Sequence, residues 1–216
     1  MAKSKKFKKI LIPILVICVV LAGLVWWQWD KIELLKYYNM DKAAIGKELE
    51  ANEEAEKAIR GKYGVPDIDL TEDEKEALKD GTTTADAVAE KILNNSADNN
   101  QNSASAGTLK SEQIQKLLAQ LYILQGTYSS SVDSVIEQCK AEYHSLEPAQ
   151  QTKANKAKIV SKNIGVLSSM ESQCDGQVAT IVSQISSLDS SLAKQIQAQY
   201  ESAKAAKKAE VLNRYS

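Results

Sequence analysis

The chain has 216 residues and carries 27 Lys and Arg against 28 Asp and Glu, a formal net charge of −1 at pH 7. The first 29 residues hold five Lys and no acidic residue, so residues 30–216 carry a net charge of about −6. A net negative charge repels phosphate, which argues against nucleic acid as a partner.

An uncharged segment at residues 10–29 predicts a transmembrane helix. Twenty residues span roughly 30 Å as an α-helix, which matches the hydrocarbon core of a bilayer. Residues 1–9 form a basic tail that is expected to stay in the cytoplasm, so residues 30–216 are expected outside it. Three tryptophans are predicted to anchor the helix at the membrane interface: Trp26, Trp27 and Trp29.

A cleavable secretory signal is the alternative interpretation of this segment. The small residue Ala22 offers a cleavage site after the apolar run. The run continues past that site into the tryptophans, which favours a retained signal-anchor. The chain is therefore predicted to be a single-pass protein of the cell membrane, and cleavage in a fraction of molecules stays open.

Residues 30–93 are predicted to form a membrane-proximal helical region. An amphipathic helix is expected from Asp41 to Lys62, because apolar residues recur there at helical spacing and charges cover the other faces. Pro66 lies just beyond it and cannot continue a helix.

Two shorter helices are expected next in the chain. Thr71 and Glu74 match a capping box, which predicts a helix that runs to about Lys79. Thr84 is expected to cap the second helix. Their few apolar residues either form a small unit near the membrane or dock on the longer helices that follow.

Residues 94–107 contain one charge and no large apolar residue. Nothing in this segment offsets the entropy of ordering the backbone, so a flexible linker is predicted.

Residues 108–216 are predicted to form a coiled-coil or helical-bundle domain. Apolar and semi-apolar residues alternate at spacings of four and three, the pattern of helices that pack along a heptad seam. The first helix carries Ile114, Leu118, Leu121, Gln125, Tyr128, Val132, Val135, Cys139, Tyr143 and Leu146. The second carries Val160, Ile164, Leu167, Glu171, Cys174, Val178, Ile181, Ile185, Leu188, Leu192, Ile196 and Tyr200. The absence of Trp and Phe after residue 29 fits burial along narrow aliphatic stripes.

The second helix is expected to begin between Pro148 and Lys153, because proline is tolerated only at a helix start. Residues 186–191 are rich in Ser and Asp, which favour a turn, yet the heptad pattern crosses them in phase. One long second helix is therefore favoured, and a break near Ser190 is the alternative. The predicted fold is all-α, with a transmembrane helix and an extracytoplasmic antiparallel coiled-coil hairpin or three-helix bundle.

Two cysteines face the compartment outside the cytoplasm. Cys139 and Cys174 both fall on the predicted seams. A simple hairpin separates them by more than the ~7 Å that a disulfide spans, so a bridge within one chain is disfavoured. They are expected to be packing residues, and an intermolecular disulfide is the alternative.

A basic cluster lies at the start of the second long helix, made of Lys153, Lys156, Lys158 and Lys162. A solvated helix face is the expected role, and a patch for an anionic partner is the alternative.

No sequence motif indicates catalysis. His144 is the only histidine, and no phosphate loop, nucleophile elbow or metal-spaced cysteine set is present. We therefore predict a non-enzymatic protein without cofactor or metal.

The layout resembles that of bitopic bacterial cell-envelope proteins, with a basic tail, one span and an outer coiled coil. Cell-division and sporulation scaffolds share it, and no motif assigns the chain to one family. The predicted function is scaffolding through helix-mediated binding of the bilayer-anchored chain to a protein partner or to itself. The alternative is a sensor domain that binds a small ligand or envelope polymer, for which the polar seam residues Gln125 and Glu171 are the only hints.

Overall fold

The computed structural model describes residues 42–97 and 106–215. Within these ranges the chain is helical and contains no β-strand, which confirms the all-α prediction for them. The helices are α1 (Lys42–Tyr63), α2 (Glu72–Lys79), α3 (Ala85–Ala97), α4 (Ala106–His144), α5 (Lys153–Leu188) and α6 (Ser190–Tyr215). A 3-10 turn, Pro148–Gln150, lies between α4 and α5.

The chain divides into two compact units. The central unit comprises Glu54–Gln199, and the terminal unit comprises the residues up to Glu53 together with Tyr200–Ser216. The two boundaries fall within α1 and within α6.

The terminal unit joins the start of α1 to the end of α6 through small side chains. Leu49 is partly buried there, and the buried core consists of Ile45, Ala205, Ala206 and Ala209. Asn52 donates from Nδ2 to Ser202 Oγ at 3.2 Å. Residue numbers rise along α1 as they fall along α6, so the two segments run antiparallel.

Helices α2 and α3 begin where the sequence predicts. Thr71 Oγ1 accepts from the Glu74 backbone N–H at 3.3 Å, and the Glu74 carboxylate accepts from the Thr71 N–H at 3.0 Å. Both halves of the predicted capping box are therefore confirmed. Thr84 Oγ1 accepts from the Ala87 N–H at 3.2 Å and caps α3.

The two short helices pack on α4, which is the docking alternative. Val88 and Ala89 of α3 are buried. On the surface, Lys116 Nζ lies 2.9 Å from Asp86 Oδ1 and 2.6 Å from Glu90 Oε1. Hydrogen bonds to Glu90 and then to Asp86 raise the pKa of Lys116, so its ammonium group stays protonated at neutral pH.

Helix α4 is the centre of the bundle in its first half. Buried residues cover most of its circumference there: Leu117, Leu118, Ala119, Leu121, Tyr122 and Ile123. A helix buried over so wide an arc must have neighbours on several sides. Further along, burial narrows to one stripe, namely Val132, Val135, Ile136 and Cys139. We call the narrow part, residues 132–167, the distal arm.

One buried polar group in the centre lacks a partner. Tyr122 is 4% exposed, and its Oη makes no hydrogen bond within the described part of the chain. Burial, followed by the charge of Glu56, raises the pKa of Tyr122, whereas Arg60 acts in the opposite direction. The neutral phenol is therefore the stable form in the folded chain.

Helices α4 and α5 form an antiparallel hairpin. The Tyr143 hydroxyl donates to the Gln151 carbonyl at 2.7 Å and closes the turn. Thr152 Oγ1 accepts from the Asn155 N–H at 3.3 Å, so α5 begins within the predicted interval. Across the hairpin, Lys162 Nζ lies 3.1 Å from Glu142 Oε1.

The favoured prediction of one long second helix is wrong. The helix breaks at Asp189, whose backbone is extended with φ −147° and ψ 100°. The Asp189 carboxylate accepts from the N–H groups of Ser191 at 3.0 Å and Leu192 at 2.9 Å, so it caps α6. The heptad pattern does not reveal the break, because Leu192 and Ile196 are buried again beyond it.

Several predicted segments lie outside the described residues. These are the basic tail, the transmembrane segment with Trp26, Trp27 and Trp29, and residues 98–105 of the predicted linker. Helices α3 and α4 occupy the two ends of the 94–107 segment. In residues 42–97 and 106–215, no helix is both long and apolar enough to cross a bilayer.

Candidate functional site

A groove of about 570 Å³ lies in the central unit beside the hairpin. Its three walls come from the α2–α3 connection, from α4 and from α5. The α2–α3 connection contributes Leu78, Lys79, Asp80, Gly81, Thr83, Thr84 and Ala85, and α4 contributes Gln120, Leu124, Thr127, Tyr128 and Ser131. Helix α5 contributes Met170, Gln173, Cys174, Gln177, Thr180 and Ile181.

The two helical walls follow from helical periodicity. On α4, Gln120, Leu124, Thr127 and Ser131 are spaced by four, three and four residues, so they share one face. The α5 wall repeats this spacing between Met170 and Ile181. Both stretches cover about eleven residues, so the groove runs for roughly 16 Å along the hairpin.

The third wall is held by a compact turn. Gly81 has a φ of +77°, a left-handed conformation that suits glycine. The Asp80 carboxylate accepts from the Thr82 N–H at 2.9 Å, and the Thr83 N–H donates to the Ala77 carbonyl at 3.0 Å. This turn places the start of α3 at the groove.

The groove carries little net charge. Lys79 and Asp80 are neighbours in the wall and have opposite signs. Hydrogen bonds from Thr82, first from its backbone, lower the pKa of Asp80, so that carboxylate is ionised at neutral pH. The remaining lining residues are uncharged, and half of the lining carries hydroxyl or carboxamide groups.

The groove was not predicted, and the residues proposed from the sequence as ligand hints do not line it. Gln125 and Glu171 each lie one residue from a lining position, at Leu124 and Met170. The wall combines segments almost a hundred residues apart, and no sequence spacing signals such a combination. Only the polar residues on the α4 and α5 faces, such as Gln120 and Gln177, offered a local signal.

The two cysteines occupy different places along the hairpin. Cys139 packs with Val135 and Ile159 in the distal arm, whereas Cys174 lines the groove. Both thiols are buried. Burial raises the pKa of Cys139, which keeps the thiol protonated. An intermolecular disulfide, still a hypothesis, would require local opening of the arm.

The four lysines of the predicted patch do not share one face. Lys158 and Lys162 are four residues apart and lie on the same side of α5, whereas Lys153 and Lys156 lie on the other side. Lys162 pairs with Glu142 across the hairpin at 3.1 Å. The patch is thus two pairs of lysines, one of which is partly neutralised.

His144 is exposed at the end of α4, where its ring lies edge-on to Tyr143 with centroids 5.7 Å apart. Across the described ranges, no group of three or more His, Cys, Asp or Glu side chains is arranged to hold a metal ion.

Comparisons with known proteins give no assignment. No protein-family model matches this chain, and no curated protein or solved structure is significantly similar to it. Its function must therefore be argued from the distal arm and the groove.

Proposed function

We propose that the chain is a non-enzymatic scaffold of the bacterial cell envelope that self-associates through its distal arm. In this proposal residues 10–29 hold the chain in the membrane and residues 30–216 lie outside the cytoplasm. The arm is the part of the helical domain that projects apolar residues beyond the more deeply buried first half of α4.

The main support for self-association is the incomplete burial of apolar residues in the distal arm. Its core consists of Val135, Cys139 and Ile159. The apolar residues that pack around this core are only partly buried: Tyr143, Leu146, Leu167 and Met170. Val166, in the same part of α5, is 48% exposed. A further helical surface on this face would bury apolar area that the hairpin leaves accessible.

Charge favours a second copy as the occupant. Residues 132–147 hold four acidic residues and one Lys, a net charge of −3, whereas residues 153–162 hold four Lys and no acidic residue, a net charge of +4. One of these pairs, Glu142 with Lys162, is already satisfied within one chain. Two arms related by a two-fold axis place the acidic segment of one beside the basic segment of the other. Such an arrangement is self-complementary and selects its own register.

The test compares two exposed apolar residues. We expect Val166→Asp to raise the dimer dissociation constant at least about tenfold, because a desolvated carboxylate would face the second copy. Leu109, which is 58% exposed near the start of α4, gives the matched control Leu109→Asp. The measurement is sedimentation equilibrium of the full chain in detergent micelles.

Two results would contradict self-association. One is a full chain that stays monomeric at the highest attainable concentration. The other is an equal change in the dissociation constant for Val166→Asp and Leu109→Asp, because the effect would then not belong to the arm. Binding of a different protein at Val166, with the chain itself monomeric, would also replace this proposal.

The anchor is tested separately. A retained anchor predicts a mature chain that keeps residues 1–29 and resists extraction from membranes at alkaline pH. N-terminal sequencing of the mature protein measures this directly. A chain that begins near Gly23 would show that a signal peptidase removes the segment.

A ligand-sensing domain is the second candidate function, and the groove favours it. The groove contacts both helices of the hairpin, so an occupant would change the packing of α4 against α5. The expected result is a rise in thermal stability with a bound ligand.

A further inference from the structure

The groove has the dimensions of an elongated ligand. It runs for roughly 16 Å along α4 and α5, and its volume of about 570 Å³ lies in the range of small-molecule sites. A compact metabolite fits this volume but does not contact the full length of the two helical walls. An occupant that extends along the hairpin fills it better.

The polar groups of the groove are neutral. Gln173 and Gln177 are exposed on the α5 wall, and their side chains make no hydrogen bond within the described ranges. Each carboxamide offers both a donor and an acceptor. Thr127 Oγ1 donates to the Ile123 carbonyl at 2.8 Å, which leaves its oxygen able to accept from a ligand. The charges of Lys79 and Asp80 cancel, so the groove favours neither an anionic nor a cationic ligand.

An apolar partner helix fits this lining poorly. A helix that covers the groove with aliphatic side chains would leave the carboxamides of Gln173 and Gln177 buried without hydrogen bonds. Buried unpaired polar groups disfavour such a complex. A ligand with many hydroxyl or amide groups around its edge can satisfy both walls at once.

One aromatic side chain and one apolar side chain complete the pattern. Tyr128 is half-buried in the α4 wall, beside Leu124. The face of a tyrosine ring is an apolar surface with a polar tip. A sugar ring has the complementary form, with C–H groups on its faces and hydroxyl groups at its edges.

We propose that the groove between the α2–α3 connection and the α4–α5 hairpin binds a short, uncharged oligosaccharide. The carboxamides of Gln173 and Gln177 pair with its hydroxyl or acetamido groups, and Tyr128 packs against a ring face. This inference deepens the second candidate function, since it gives the sensing domain a ligand class. It does not depend on self-association through the distal arm.

The test uses a neutral tetrasaccharide of N-acetylglucosamine as the probe. Isothermal titration calorimetry is performed on the full chain in nanodiscs, because sugar-based detergents would compete for the site. We expect saturable binding with a dissociation constant of about 1 mM or below. Gln177→Leu and Gln173→Leu should each raise this dissociation constant at least about tenfold. Gln138→Leu is the matched control, since Gln138 is exposed on α4 and does not line the groove.

Circular dichroism and the Val166-dependent dimerisation of each variant report whether the fold and the arm are intact. Absence of saturable binding, or equal binding by the groove variants and the parent chain, would overturn the oligosaccharide proposal. Stronger binding of an uncharged tetrapeptide would also overturn it, in favour of a peptide site. A chain that binds the sugar but stays monomeric would sink the scaffold proposal alone.

Discussion

Tyr122→Phe is expected to stabilise the central unit. The Tyr122 side chain is 4% exposed, and its hydroxyl has no hydrogen-bond partner within the described residues. A buried unsatisfied polar group costs about 1–3 kcal/mol, and phenylalanine keeps the ring that fills the site. We expect the free energy of unfolding to rise by about 1 kcal/mol, the lower limit of that range.

The pH dependence gives a second measure of the same group. The ordinary pKa of a tyrosine is 10.0, and burial raises that of Tyr122 in the folded chain. The folded state therefore holds the Tyr122 proton more tightly than the unfolded state. The titration of Tyr122 leaves the free energy of unfolding unchanged below pH 10 and lowers it as the pH rises above 10. The parent chain should lose stability more steeply than Tyr122→Phe there, by up to about 1.4 kcal/mol per pH unit.

Urea unfolding of the full chain, followed by far-ultraviolet circular dichroism, measures both effects. Tyr122→Ala is the control for the ring and should destabilise the unit by about 3–5 kcal/mol. A Tyr122→Phe variant that is less stable than the parent by 1 kcal/mol or more would refute the reasoning, because the hydroxyl would then have a stabilising partner.

Three further predictions concern the hairpin. Asp189→Ala should lower the melting temperature, whereas Asp189→Asn should not, and a melting curve unchanged by Asp189→Ala would contradict this. The N–H groups of Leu192 and Ser191 lower the pKa of Asp189. The stabilising effect of Asp189 is therefore present above pH 3.8 and is lost as the pH falls. Cys139 and Cys174 should react slowly with a maleimide in the folded chain and rapidly in urea, because both are buried. Equal rates for Cys139 in the two conditions would show that the arm is open. Asn163 is buried and donates to the Ile159 carbonyl at 2.9 Å. Asn163→Leu should keep or raise stability but permit alternative hairpin registers. Spin-label distances across the arm would detect these registers, and a single unchanged distance would exclude them.

Heptad spacing predicted much of the hairpin because burial along a helix repeats locally. The heptad pattern of the first long helix predicts buried positions that are buried in the structure, among them Leu118, Leu121, Val132 and Val135. The heptad spacing was less accurate at the start of the second helix. It placed Val160 on the seam, whereas Ile159 is buried and Val160 only partly buried. Near the hairpin tip, the register depends on the partner helix as well as on the spacing.

Features that join distant segments were not accessible from the sequence. The break at Asp189 preserves the heptad phase, so its strongest signal was the capping chemistry of the Asp side chain itself. The groove requires the turn at Gly81 to meet α4 near Gln120 and α5 near Gln177. Helix α3 packs on α4 with Val88 and Ala89 buried, and Lys116 forms ion pairs at the surface of this contact. Such long-range contacts leave no periodic pattern.

The antiparallel course of α4 and α5 makes the reach of the distal arm adjustable. The chain enters and leaves the arm at the same end, so seven residues inserted into each helix would move the tip outward by roughly 10.5 Å. The same insertion in one helix alone would shift Cys139 and Glu142 away from Ile159 and Lys162. Paired insertions would thus vary the length of the arm while the first half of α4 keeps its packing.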